Sequence, residues 1–140
     1  MCAILVLCAG CLDLRDFDGE WTGQRVGEAP AVRVGFAPSA TADVTIHRID
    51  SKGLDATLTT TDGVFDGAAI APIPGAEADV LAGITFDGSP SRVYLAFVAT
   101  SDGGGPATAV IAIYDDRRVE LRVLRGGETP LYGIFLMRQR

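Results

Sequence analysis

Short runs in which apolar and polar residues alternate, interrupted at close intervals by glycine, proline and Asp-Gly pairs, make up most of this chain. A period of two puts alternate side chains on opposite faces of an extended strand. The alternation is visible at Val44/Ile46, Leu54/Ala56/Leu58, Val80/Ala82/Ile84/Phe86, Val93/Leu95/Phe97, Ala109/Ile111/Ile113 and Val119/Leu121/Val123, and these sets are expected to point inward. The breaks fall at 27–30, 51–53, 62–63, 72–75, 87–90, 101–106, 115–116 and 126–130. Each contains residues that supply a positive or fixed φ for a turn. Such breaks, spaced at roughly 8–12 residues, mark an all-β sandwich or barrel. No segment carries the period of a long helix. About eight strands with short connections suit an antiparallel up-and-down β-barrel, because closure removes the exposed edges of an open sheet. A two-sheet β-sandwich is the alternative.

The clearest pair is 107–114 and 117–125, separated by Asp115 and Asp116, which predicts a two-residue hairpin. Its outer face would carry Arg118, Glu120 and Arg122 as a solvated stripe that discourages edge pairing.

The first eleven residues are an uncharged apolar run ending in Ala9-Gly10-Cys11. A stretch of this length is too short to span a bilayer, which takes about twenty residues. Read from its residues alone, the run also fits a fully buried first strand. Its ending resembles a bacterial lipoprotein signal peptide, in which small residues precede a cysteine that receives a diacylglycerol group. The resemblance implies a signal segment over 1–11, lipid on Cys11, a short tether over 12–18 and a single β domain over 19–140. Leu12 rather than aspartate after the cysteine implies delivery to the outer membrane of a bacterial envelope. Cys2, Cys8 and Cys11 are the only cysteines, so the β domain forms no internal disulfide.

The formal net charge of −6 lies wholly after residue 11. A negative field opposes approach to phosphate backbones, so nucleic acid is not an expected partner. Membrane attachment is expected through covalent lipid rather than through a polybasic face.

Gly19-Glu20-Trp21, preceded by Asp16-Phe17-Asp18, resembles the opening of lipocalin-like barrels. There a Gly-x-Trp places an indole across one end of the barrel and a late arginine packs over it. The resemblance implies that Gly19, Trp21 and Arg138 pack together at a barrel end, with Arg140 as second candidate for the arginine.

Candidate chemistry is sparse. His47 is the sole histidine, which excludes a multi-histidine metal site, and it is expected on an exposed or rim position. His47, Asp50 and Ser51 are sequence neighbours without a Gly-x-Ser-x-Gly elbow. The Asp-Gly pairs lack the spacing of a calcium loop, and 103–105 lacks the Lys-Ser/Thr of a phosphate loop. No cofactor, metal or catalytic residue is therefore expected, and the chain is not expected to be an enzyme. Two roles remain. One is a lipid-anchored interaction or structural domain of the envelope. The other is a carrier of a small apolar ligand, in a cavity lined by Ala56, Ala82, Phe86, Phe97, Ala109 and Phe135. Small residues such as Ala56, Ala82, Ala99 and Ala109 leave room, and the phenylalanines could fill it; eight-stranded barrels occur in both states.

Overall fold

The computed structural model describes residues 12–25, 34–50, 53–75 and 84–140. After a short 3-10 turn, Leu14–Phe17, come eight strands: β1 Gly19–Arg25, β2 Thr41–Asp50, β3 Gly53–Thr60, β4 Ala68–Pro72, β5 Arg92–Val98, β6 Ala107–Ile113, β7 Val119–Arg125 and β8 Leu131–Gln139. Each strand pairs antiparallel with its neighbours in sequence, and β1 pairs with β8 through Trp21↔Gln139 to Arg25↔Phe135. The sheet is thus a closed up-and-down barrel, not a sandwich. Closure satisfies the backbone groups that edge strands would leave open. The narrowest seam is β4 to β5, where only Ala71↔Phe97 and Pro72↔Ala96 are in register and the Ile73 N–H extends the ladder to the Leu95 carbonyl at 2.8 Å.

Alternation decides which side chains face in. Ala42, Val44, Ile46, Leu54, Ala56, Leu58, Ile70, Ile111, Leu121 and Phe135 belong to one buried cluster that fills the barrel. The expected inward sets on β2, β3, β6 and β7 are found there. On β5 the phase is reversed: Tyr94, Ala96 and Val98 are inside, and Val93, Leu95 and Phe97 are on the outer wall. Both alternate sets of β5 are apolar, so the period shows a strand without showing which face is inner. Gly23 faces in on β1, where a Cβ would stand 2.5 Å from the Leu136 carbonyl oxygen; only glycine lets β1 and β8 close there.

The end of the barrel at which β1 starts is closed by the 3-10 turn. Asp13 caps it by accepting from the Arg15 N–H at 3.1 Å, and Phe17 beyond is 1% exposed. Leu12 and Leu14 pack against the same core. The side-chain amide of Gln139 donates to the carbonyls of Asp16 (3.3 Å) and Asp18 (3.1 Å), and the Ile49 N–H donates to the Asp18 carboxylate. Residues 12–18 are therefore a plug built into the barrel rather than a tether. The opposite end is closed by Phe36, brought in after Val34 bridges to Tyr132, and by Val64 and Phe65 from the β3–β4 turn.

The hairpin between β6 and β7 is one residue longer than its sequence suggests. Arg117 donates its N–H to the Tyr114 carbonyl with φ +65°, so the tip spans 115–117 and its left-handed position is taken by an arginine. Arg117 also reaches Asp16 of the plug at 3.0 Å.

Candidate functional site

Three places combine polar groups with burial or enclosure: the barrel interior, a covered patch on the outer wall, and a guanidinium clamp between two loops. A fourth, an open groove, lies on the outer wall itself.

The interior is occupied by side chains. Phe36 meets Phe135 edge-on at 5.4 Å and stacks on Phe65 at 6.4 Å, while Trp21 stacks on Phe17 at 5.7 Å from the other end. Ala42, Ala56, Leu58, Phe65 and Phe135 expose 0% of their surface. A void wide enough for a ligand would leave its lining within reach of a water-sized sphere, and these residues have no such surface. Among the proposed lining residues, Ala56, Ala109 and Phe135 do face inward. Phe97 is 60% exposed on the outer wall, and Phe86 lies outside the barrel as well. Ala99, also counted as inward-facing, is exposed beyond the end of β5. Val80 and Ala82 fall outside the described residues.

The indole of Trp21 is 3% exposed at the barrel end and donates to the Phe17 carbonyl at 2.9 Å. Its ring partner differs from the expectation. Arg138 pairs in register with Thr22, next to Trp21, and therefore points to the outer wall; Arg140 pairs with Asp43 at 2.9 Å. Phe17 takes the place of the arginine. Gly19, at φ +117°, leads from the plug into β1.

On the outer wall, Phe86 and Ile84 cover Val93, Val110, Ala112 and Tyr114, forming a second small apolar cluster. Residues 84–86 are not strand, in contrast to the alternation read over 80–86. Beneath them Glu120 is 5% exposed and ion-paired to Arg122, whose guanidinium lies 4.9 Å from the Phe86 ring centre. The expected solvated stripe is thus covered, and only Arg118 remains in water, stacked on Tyr114 at 4.4 Å. The Tyr114 hydroxyl is buried without a hydrogen-bond partner. Burial, followed by the charge of Glu120, raises its pKa.

The clamp joins the β5–β6 and β7–β8 loops. Arg125, with a side chain 6% exposed, donates to both Asp102 carboxylate oxygens (2.9 and 2.6 Å), to Thr100 Oγ1 and to the carbonyls of Gly105 and Thr129. The guanidinium, with help from the Gly104 N–H, holds the Asp102 carboxyl far below the usual carboxylate range. A Cβ on Gly104 would sit 2.6 Å from the Arg125 guanidinium carbon, so Gly104 is fitted closely against the clamp. Nothing in the spacing of Thr100, Asp102, Gly104 and Arg125 marks this network in the sequence.

The open groove runs along the outer wall between β8, β1 and β2, lined by Thr22, Gln24, Thr41, Leu136, Arg138 and Arg140. Leu136 is 49% exposed in it. It offers hydroxyls, an amide and guanidiniums, a lining suited to contact with anionic or polar surfaces.

His47 is exposed at the β-bulge of β2, and Asp50 is held by Arg48 at 3.0 Å while accepting from the Gly53 N–H; Ser51 lies outside the described residues. Among the described residues no three His, Cys, Asp or Glu side chains gather as a metal set. No helix among them is long and apolar enough to cross a membrane. Cys11 and the rest of 1–11 lie outside the described residues. Compared with protein-family models, curated proteins and solved structures, the chain matches none.

Proposed function

We propose that this protein is a bacterial envelope lipoprotein, anchored through Cys11, whose barrel acts through its outer surface as an interaction or structural domain. The observation that carries the role is the side-chain-filled interior, plugged by Phe17 at one end and Phe36 at the other. A carrier of the same architecture needs an empty space of a few hundred Å³. Here the volume is taken by Phe65, Phe135, Leu58, Ile111 and Leu121, and each is sealed from water. The anchor rests on Ala9-Gly10-Cys11, and the exposed acidic surface makes covalent lipid the expected means of attachment. Binding without turnover suits a chain whose single histidine stands on an exposed bulge.

Native mass spectrometry of protein taken from the membrane fraction tests both parts. The expected species is a chain beginning at Cys11, carrying diacylglycerol and no stoichiometric small molecule, and Cys11→Ala should release the protein from that fraction. An unmodified Cys11 removes the anchor from this reading. A co-purifying apolar molecule restores the carrier.

A further inference from the structure

Phe97 is the most exposed large apolar side chain among the described residues, at 60%. It stands in a row that the strand register carries across β4 to β8: Ala71, Phe97, Thr108, Leu124 and Tyr132. Its ring therefore rises from the outer wall between two small neighbours, Ala71 and Thr108. Ala69, two residues before Ala71 and on the same face of β4, is exposed as well. The wall thus carries an aromatic knob with an exposed alanine floor beside it. Large apolar side chains left in water next to other apolar surface mark contact sites.

Charge sets these rows apart from the rest of the barrel. In the next row, Leu95, Val110, Arg122 and Ile134, the one charge is Arg122, which is neutralised by Glu120 and 12% exposed. The outer faces of β1 to β3 instead carry Glu20, Asp43 and Asp55. A chain of net charge −6 repels its own copies where acidic faces meet, and these two rows let copies approach without that cost. A strongly charged partner, acidic or basic, finds no exposed complement there.

We infer that the Phe97 wall is the interface between two copies of this chain, packed about a two-fold axis that seats each Phe97 on Ala69 and Ala71 of the other copy. Such a dimer supplies the partner for the surface role proposed above, and rests on that reading. A two-fold contact pairs one patch with itself, so it needs a knob and its seat side by side on one wall. Neighbouring strands β4 and β5 present them in that way. Aromatic anchors packed at the centre of an interface carry much of its affinity, and Phe97 holds that position here. The contact also crosses β4 to β5, the narrowest seam of the barrel, and braces it.

The test places the photo-cross-linker p-benzoylphenylalanine at position 97 and irradiates intact cells, since this ring reacts with whatever C–H lies against it. The expected product has the mass of two chains, joined from position 97 to the peptide that contains Ala69 and Ala71. Ala71→Glu should cut its yield severalfold with the far-ultraviolet circular dichroism unchanged, because the position is exposed. Products confined to a single chain, to a lipid adduct or to another protein overturn the second copy as occupant. A two-chain product joined elsewhere, or one whose yield Ala71→Glu leaves unchanged, overturns the seat. A stoichiometric apolar molecule in the mass spectrum of the purified protein strikes the scaffold reading itself, which the absence of a two-chain product leaves standing.

Discussion

Arg125 shows how much one side chain can organise at a barrel end. Its donors bind two loops that share no sequence neighbourhood, and Arg125→Ala should cost about 1.5–3 kcal/mol in urea unfolding, the range for hydrogen bonds to charged groups. The partner carboxyl of Asp102 is depressed, so its contribution is present above the ordinary carboxylate value of about 3.9 and fades as pH falls below it. Stability measured against pH should therefore decline on the acid side, and Asp102→Asn should flatten part of that decline. Tyr114 makes the opposite case. Its hydroxyl is buried without a partner, and Tyr114→Phe should leave stability unchanged or raise it by up to about 1 kcal/mol on thermal unfolding. At this scale the sequence was legible where a motif is local. Trp21 reads as a buried ring from its size and apolar character, whereas its cover by Phe17 and the outward turn of Arg138 follow from register between β1 and β8, which no short motif encodes.

Among the elements, the plug and the outer cover of Ile84 and Phe86 carry the most structural consequence. Residues 12–18 read as tether because they are short and polar, yet Leu12, Leu14 and Phe17 turn toward the core. Phe17→Ala should remove the stack on Trp21 and cost about 3–5 kcal/mol, the range for a buried phenylalanine. Protease cleavage within 12–18 should quicken in the same variant, because the remaining hydrogen bonds to Gln139 and Ile49 are few. The cover formed by Ile84 and Phe86 bears on the phase of β5. Val93 and Leu95 lie in the outer cluster and Phe97 is apolar though exposed, so Val93, Leu95 and Phe97 carry the same signal as Tyr94, Ala96 and Val98. The charges of Glu120 and Arg122 look solvated in sequence for the converse reason: they pair with each other under an aromatic ring that arrives from a distant segment.

For the whole molecule, architecture was legible and occupancy was not. Strand alternation and turn spacing point to an antiparallel barrel or sandwich, and the pairing of β1 with β8 decides for the barrel. Whether the interior is hollow depends on which aromatics enter from the ends. Phe36 and Phe65 do so from loop segments that the strand pattern leaves unassigned, and Phe97 and Phe86, expected within, stand outside. In the proposed function this barrel is a solid scaffold working through its surface. Titration of the delipidated protein with a fluorescent fatty acid tests it most directly: no saturable signal is predicted. Saturable one-to-one binding that is abolished by Ala56→Phe would contradict the claim and make the interior the functional site.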